Sequence, residues 1–229
     1  MDKKKKRKAV IDDGMNPELV KGAEFDGIFQ IPILKAPKHI FIPTSITPFS
    51  LIEKNDDCSN HAVGFNEMDV NFADILIYTD ASLEKVRPFG AMITPDNSLY
   101  RNAPLAAQIT NIYRSRAIGY RAQCKGINVI PHIRWGTEET YTTKVFPEKV
   151  AFLGVPKRSI VAIGSYGCIG GKDNKYHFKA GLESMLIELA PTDVLVYGSM
   201  PDSVFQDYLH CTRFHQYDDW TTLMKGGRQ

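Results

Sequence analysis

Short apolar runs recur along the chain from residue 61 onward, and most are continuous rather than interrupted by alternating polar residues. They occupy residues 61–67, 90–94, 127–131, 159–164 and 193–198. Continuous hydrophobicity is typical of parallel strands covered on both faces, and the intervening 22 to 32 residues are long enough for right-handed helical crossovers. The pattern therefore predicts an α/β fold with a mainly parallel sheet. This sheet would form an incomplete (β/α) barrel or, alternatively, a doubly wound open sheet.

Helical spacing of apolar residues predicts three helices between these runs. Residues 71–87 fit a broken helix interrupted at TDAS, and residues 104–124 and 174–191 fit continuous helices. The spacing in the second helix predicts a single buried stripe of Ala106, Ile109, Tyr113, Ala117, Tyr120 and Cys124. In the third helix, the predicted inward residues are Phe178, Leu182, Met185, Leu186 and Leu189.

Residues 24–50 carry four prolines at near-regular intervals and are otherwise largely apolar. Proline removes a backbone donor and disfavours helix in the residue before it, so this segment is predicted to be an extended cover over the sheet. We expect one domain over residues 15–229, with its β/α core at residues 61–219.

Charge separates the first residues from the rest of the chain. The formal net charge is +2 over 229 residues, but MDKKKKRK at the start carries +5, which leaves −3 on the remainder. A run of this kind rarely folds, so residues 1–14 are predicted to be a disordered basic tail. No apolar segment is long enough to span a membrane and no secretory signal is visible, so we expect a cytoplasmic protein without membrane contact.

The residues that follow each predicted strand are the candidates for a ligand site, because parallel α/β folds bind ligands outside the carboxyl ends of their strands. Polar groups of both signs, an aromatic side chain and glycine-serine turns would converge there. The set comprises Glu67, Asp69, Asp96, Ser98, His132, Arg134, Trp135, Gly164, Ser165, Gly167 and Ser199. The glycines of GSYGCIGGK permit close backbone approach to a phosphate, but the segment matches no complete phosphate motif, and a flexible strand-to-helix loop is the favoured interpretation.

Carboxylates in this set suggest chemistry of their own. Glu67, Asp69 and Asp96 could jointly hold Mg²⁺ or Mn²⁺, which prefer oxygen ligands, whereas scattered surface acids are the plainer alternative. Asp96 and Ser98 are the candidate catalytic residues. In the competing interpretation, these two residues form only an Asx-turn. If the protein is an enzyme, we expect a metal-assisted hydrolase that processes phosphodiesters or nucleotides.

Two arginines on the second predicted helix are further candidates for ligand binding. Arg116 lies about 60° from the centre of the predicted buried stripe, and Arg114 lies on the flank of the same helix. A guanidinium close to a core needs a carboxylate or phosphate partner, unless its stem merely covers the core. These residues therefore predict either an anionic ligand or an internal ion pair of Arg116 with Asp96 or Glu67.

Several motifs together resemble an uncharacterised family, a domain of unknown function common in phages, plasmids and other bacterial mobile elements. They are IPIL with IPTSITPFS, ITPDNSLYRNAPLAAQITNIYRSRAIGY, GINVIPHIRWG, FLGVPKRSIVAIGSYG and VLVYGSMPD, between about Asn16 and Asp219. The resemblance implies a role in replication or in the interplay between a mobile element and its host. It also places Asp96, Ser98, Arg114, Arg116, Trp135 and Gly164 in signature motifs. NEMD stands where members often have a fuller acidic pair, which weakens a metal site built on Glu67 and Asp69.

Two functions are consistent with these features. One is binding, and possible processing, of an anionic ligand, either a nucleotide or a nucleic-acid backbone, at the carboxyl ends of the strands. The other is that of a non-catalytic adaptor or regulator that binds a host or phage protein. The second is favoured by the lack of a complete phosphate motif, metal-ligand spacing or nucleophile–base pair in the sequence.

Overall fold

The computed structural model describes residues 12–54 and 58–219. Seven parallel strands form its centre, in two sheets that follow chain order. One sheet contains β3 (Ser45–Pro48), β4 (His61–Gly64), β5 (Ala91–Ile93) and β6 (Val129–Ile130). The other contains β7 (Ile160–Gly164), β8 (Asp193–Tyr197) and β9 (Arg213–Tyr217). A parallel bridge between His132 and Ala162 connects β6 to β7 and continues the order.

The α/β prediction with parallel strands is confirmed, and all five predicted runs contain strands. The strand order runs in sequence without the reversal that defines a doubly wound sheet. Among the described residues the strands form no closed barrel, since β3 and β9 are not paired. A hydrogen bond from Tyr217 Oη to the Pro43 carbonyl, at 2.7 Å, links the two edges. The fold is thus an open, incomplete β/α arrangement.

Two layers of apolar side chains stabilise the sheet. On its outer face, Val63, Met92, Val161 and Val194 pack against helices. On its inner face a separate buried cluster consists of strand residues: Ile46, Ala62, Ala91, Ile93, Ile130, Ile160, Ala162, Leu195 and Tyr197. Because this cluster contains no helix residue, the inner face is buried by curvature of the sheet upon itself.

Helices connect most of the strands. A broken helix is present as α1 (Ala73–Ile77) and α2 (Thr79–Val86), but the predicted place of the break is wrong: the helix is interrupted at Tyr78, and TDAS forms the first turn of α2. The two long helices are α3 (Leu105–Cys124) and α5 (Gly171–Leu189), and the short ones are α4 (Glu138–Tyr141) and α6 (Asp202–Phe205). All five residues predicted to face inward on α5 are buried. No helix in the described ranges is both long and apolar enough to cross a membrane.

The predicted stripe on α3 is wrong. Ala106 and Cys124 are exposed, and of the six predicted residues Ala117 alone is buried. The buried face instead includes Gln108, Ile112, Ser115, Arg116 and Ala122. Polar side chains occupy this face because other parts of the chain provide them with hydrogen-bond partners, a feature that hydrophobic spacing cannot reveal.

The proline-rich segment is not simply a cover. Its beginning forms an antiparallel pair, β1 (Phe25–Asp26) and β2 (Ile31–Pro32), and its end forms β3, which is part of the parallel sheet. Pro48 is tolerated because it lies in an edge strand, where one side of the backbone needs no ladder partner.

The predicted basic tail falls mainly on residues 1–11, which lie outside the described residues. The packed chain extends to residues 12–14, before the predicted boundary at Met15. Gly14 N donates to the Leu76 carbonyl at 3.0 Å, and Arg114 binds Asp13 through the Asp13 carbonyl and carboxylate.

Candidate functional site

The segments that follow β4, β5, β6 and β7 bring a group of polar side chains together at the carboxyl ends of the strands. Asn66, Asp96, His132 and Arg134 form a connected hydrogen-bonded cluster, and Gly164 lies directly against it. We call Asn66, Asp96, His132 and Arg134 the polar cluster. Of these, Asp96, His132 and Arg134 were among the predicted candidates, and their positions follow from the parallel arrangement of β5 and β6.

Asp96 is the centre of the polar cluster. Its Oδ2 accepts hydrogen bonds from Arg134 Nη1 at 2.7 Å and from Asn66 Nδ2 at 3.0 Å. Its Oδ1 has no hydrogen-bond partner among the described residues, although His132 Nδ1 lies 3.4 Å away. One oxygen of a carboxylate that is only 6% exposed is therefore incompletely satisfied.

Opposing effects determine the charge of Asp96. Burial acts to raise the pKa of this carboxyl, but the nearby positive charge of Arg134, assisted by His132 and the hydrogen bonds, holds it below its usual value. The charge of Asp96 in turn raises the pKa of Arg134. The two residues thus form an ion pair at the base of the site.

His132 is neutral at physiological pH. Burial lowers the pKa of its imidazole to about 4, against the opposing effect of Asp96. Because Asn66 Nδ2 can only donate, His132 Nε2 at 3.1 Å must accept, which assigns the proton to Nδ1. The Nδ1 proton then lies on the side of the ring that approaches Asp96 Oδ1.

Arg116 contacts the polar cluster through the backbone carbonyl of His132 and does not bind the carboxylate of Asp96. The side chain is 2% exposed and donates to the carbonyls of His132 at 2.9 Å, Leu153 at 3.2 Å and Ala151 at 3.4 Å. Burial lowers its pKa to about 10, so the group remains charged at neutral pH. The expected internal ion pair with Asp96 or Glu67 is therefore wrong, because backbone carbonyls are its partners.

A cleft of about 270 Å³ opens beside the polar cluster. It lies between the loop after β5, the ends of β6 and β7, and the first turns of α5, and Arg134 forms part of its wall. Arg134 is 27% exposed, and its Nε and Nη2 make no hydrogen bond among the described residues. Asp96 thus orients the guanidinium through Nη1, while its other nitrogens remain available to a ligand.

The glycine-rich loop between β7 and α5 forms one side of this cleft. Gly164 and Gly167 line it, and Gly167 and Gly171 adopt positive φ values of +72° and +77°. A Cβ at Gly164 would lie 2.6 Å from Asn66 Nδ2, so a side chain there would displace the polar cluster. The loop ends at the N-terminus of a 19-residue helix, where backbone N–H groups favour anions.

Arg101 was not predicted as a site residue, although it also lines the cleft. Its Nη1 pairs with Asp173 at 2.5 Å and its Nη2 donates to Asn174 Oδ1 at 2.6 Å, which ties the loop after β5 to α5. Asn66 and His177 were missed as well. The position of Asn66 near the end of the predicted run at residues 61–67 was the available signal, whereas nothing in the sequence indicated that α5 would bring His177 to the cleft.

Three predicted residues have mainly structural partners. Ser98 donates through its backbone N and its hydroxyl to Asp69, at 3.2 and 2.8 Å, so this serine does not contact the polar cluster. The hydroxyl of Ser165 donates to the Ser199 carbonyl at 2.7 Å, which joins the ends of β7 and β8. These contacts fix the loops that surround the cleft.

Trp135 and Arg114 also have identifiable positions. Trp135 lines the cleft, packs its ring 5.3 Å from that of Phe178, and donates from Nε1 to the His177 carbonyl at 3.1 Å. Arg114 does not line the cleft but binds Asp13, and Arg116 does not line it either.

The three carboxylates predicted to hold Mg²⁺ or Mn²⁺ are not brought together. Asp69 binds Ser98, Glu67 Oε1 accepts from the backbone N of Ser50 at 3.1 Å, and Asp96 pairs with Arg134. Over the described ranges, no three His, Cys, Asp or Glu side chains form a group suited to a metal ion. The residues therefore do not fit the predicted metal.

Sequence comparison shows that the chain is similar to phage proteins. A protein of Mycobacterium phage L5 called Gene 1 protein is 32% identical over 179 residues, which cover 77% of this chain and 74% of that protein. A Gene 1 protein of Mycobacterium phage D29 is 31% identical over 174 residues, or 75% of this chain and 61% of that protein. No solved structure matches the chain. Residues 23–218 match the family described as "Domain of unknown function (DUF4417)", and the chain belongs to that family.

Proposed function

We propose that this protein binds a phosphate-bearing anionic ligand, a nucleotide or a nucleic-acid backbone, in the cleft at the carboxyl ends of its strands. It would do so as a protein encoded by a mobile element and acting in the cytoplasm of a bacterial host. The proposal is supported by the phage origin of its relatives and by the chemistry of the cleft.

One observation carries the proposal: the cleft contains an oriented arginine with unused donors. Asp96 holds Arg134 through Nη1, leaving Nε and Nη2 without hydrogen bonds among the described residues. Two parallel N–H donors of a guanidinium match two phosphate oxygens. The glycine-rich loop and the N-terminus of α5 border the same space and provide backbone groups that favour anions.

The proposal is for binding and does not include hydrolysis. A general base works best when its pKa lies near the operating pH, and the pKa of Asp96 is held below its usual value by Arg134 despite burial. Ser98 binds Asp69 and has no base beside it in the polar cluster. The polar cluster is therefore better suited to orienting Arg134 than to proton transfer.

The test measures binding of nucleoside triphosphates and short oligonucleotides to the wild type and to Arg134→Gln at low salt. Loss of a bidentate phosphate contact should weaken binding at least about tenfold. Arg121→Gln is the matched control, because Arg121 is a partly exposed arginine on α3 that pairs with Asp80 away from the cleft. Equal affinity of wild type and Arg134→Gln for every phosphate ligand would refute the proposal.

A further inference from the structure

Exposed tyrosines concentrate around the proposed anion cleft. Of the ten tyrosines in the chain, four are exposed: Tyr78, Tyr100, Tyr166 and Tyr176. Three of these belong to the segments that line the cleft, since Tyr100 is in the loop after β5, Tyr166 is in the glycine-rich loop and Tyr176 is on the first turns of α5. Exposed aromatic side chains on segments that border one cleft are more typical of a binding surface than of an ordinary solvated one.

Two of these tyrosines, Tyr100 and Tyr176, are close in sequence to the residues that join the loop after β5 to α5. Arg101, which follows Tyr100 in sequence, binds Asp173 and Asn174, and Tyr176 lies two residues beyond Asn174 on α5. The ring of Tyr176 also lies edge-on to His177, with centroids 5.2 Å apart, and His177 lines the cleft. Tyr100 thus lines the cleft and Tyr176 packs against a lining residue from a different segment, while the two side chains are 64% and 65% exposed.

This arrangement combines the two elements that recognise unpaired nucleotides. Arginine donors and helix N-termini bind the phosphates, while exposed aromatic rings offer a face on which bases stack. Bases inside a duplex are already stacked on their neighbours and present no such face. A free nucleotide carries one base, whereas exposed aromatic rings stand on two different segments, with Tyr100 lining the cleft and Tyr176 against the lining residue His177.

We infer that the ligand is a single-stranded nucleic acid whose backbone contacts Arg134 and whose successive bases stack on Tyr100 and Tyr176. The inference rests on the proposed anion site and deepens it by naming the class of ligand. Base stacking is tolerant of sequence, so binding depends on single-strandedness and on the presence of bases rather than on a sequence motif.

The experiment uses fluorescence anisotropy with a labelled oligothymidylate of about 12 nucleotides, a length within the range that known single-strand-binding domains cover. Unlabelled competitors are an oligouridylate of equal length, an abasic oligonucleotide with the same number of phosphates, a duplex, and thymidine triphosphate. The variants are Tyr100→Ala and Tyr176→Ala, each with its Phe counterpart, which keeps the aromatic face. Tyr78→Ala is the matched control, because Tyr78 is exposed between α1 and α2 and does not line the cleft.

The expected result is tight binding of the oligothymidylate or oligouridylate, with the abasic strand, the duplex and the triphosphate all much weaker. Each Tyr→Ala variant should weaken oligonucleotide binding about 5-fold to 100-fold, while the Phe variants and Tyr78→Ala stay within about twofold of wild type. The response to thymidine and uridine strands identifies DNA or RNA as the source.

Two outcomes separate this inference from the proposed function. If the triphosphate or the abasic strand binds as well as the oligonucleotide, depends on Arg134 and is indifferent to the tyrosines, the anion site stands and the single-strand inference is wrong. If neither oligonucleotides nor the triphosphate bind in an Arg134-dependent way, the proposed function itself is wrong and this inference fails with it.

Discussion

The amino ends and the carboxyl ends of the parallel strands each contain a buried carboxylate paired with an arginine, but the hydrogen bonds that the two carboxylates accept differ. At the amino end, Asp193 accepts from Arg213 through both oxygens, at 2.9 and 2.8 Å, and from His215 Nε2 at 2.9 Å. At the carboxyl end, Asp96 uses Oδ2 for both of its hydrogen bonds, and its Oδ1 has none among the described residues.

The arginines differ as well. Arg213 donates from both Nε and Nη2 to Asp193, so the two parallel donors of this guanidinium edge are both hydrogen-bonded. Arg134 donates to Asp96 from Nη1 alone, and its side chain lines the cleft. An ion pair that uses both carboxylate oxygens and the Nε–Nη2 edge of its arginine links β8 to β9. The pair at the carboxyl end instead leaves Nε and Nη2 of Arg134 without hydrogen bonds among the described residues, and the proposed anion site rests on this difference.

The largest effect is expected from Arg116→Met, which removes the support beneath the carboxyl-end cluster while preserving volume. Three buried carbonyls would lose a charged donor, so the free energy of unfolding should fall by about 2–4 kcal/mol in urea denaturation. The control on the same helix is Arg121→Met, whose partly exposed pair with Asp80 should cost under about 1 kcal/mol. Equal losses in both variants would contradict a special role for Arg116.

The next largest effect is the difference in unfolding free energy between substitutions of the two carboxylates, Asp193 and Asp96. Asp193→Asn places an amide against the Nε and Nη2 donors of Arg213, which lose one of their two acceptor oxygens. This change should lower the free energy of unfolding by about 2 kcal/mol. Asp96→Asn should cost under about 1 kcal/mol, because Arg134 is partly exposed and one oxygen of Asp96 is unsatisfied at the start. Thermal and urea unfolding of both variants measure the difference, and the reverse order would overturn the comparison.

Sequence reasoning located the sheet well because buried parallel strands are continuously apolar. It missed β9, where the polar residues of RFHQY obscure a strand that lies at the edge of the sheet. It missed β3 because proline argues against strands in general, although not at an edge. It misplaced the buried face of α3, where Arg116 and Gln108 are buried as polar groups.

The position of the candidate site could be predicted, but its pairing could not. Parallel strands end at one edge of the sheet, so Asp96 and Arg134 were expected near each other. Whether a carboxylate binds an arginine or a metal depends on which side chains turn inward, and this is decided by three-dimensional packing. Asp69 binds Ser98 for that reason rather than joining Asp96.

A smaller effect should follow from filling the space beside the carboxyl-end cluster. Gly164→Ala would place a Cβ 2.6 Å from Asn66 Nδ2, so Asn66 must move away from Asp96 and His132. We expect a loss of about 1 kcal/mol in unfolding free energy together with weaker ligand binding. The control is Gly170→Ala, where a Cβ meets nothing within 4 Å and φ is −73°. Unchanged binding in Gly164→Ala would show that Asn66 is not needed to hold the cluster.

A further effect concerns the pH dependence of stability, where the two ends should respond in separate ranges. Burial lowers the pKa of His132 from 6.5 to about 4 in the folded protein. Below pH 6.5 the unfolded chain binds a proton that the folded chain refuses, so this contribution to stability is complete above pH 6.5 and is lost as the pH falls towards 4. The hydrogen bonds of Arg213, opposed by burial, lower the pKa of Asp193 from 3.8 to about 2, so its contribution is lost between pH 4 and 2.

Urea unfolding at a series of pH values isolates each contribution by subtraction. The difference in unfolding free energy between wild type and His132→Gln should shrink between pH 6.5 and 4, and that between wild type and Asp193→Asn should shrink below pH 4. Subtraction is necessary because the chain contains six histidines, and the others titrate in both proteins of each pair. A constant His132→Gln difference across pH 6.5 to 4 would mean that His132 titrates as it does in the unfolded chain. In that case the lowering of the His132 pKa by burial is either absent or offset in full by the charge of Asp96.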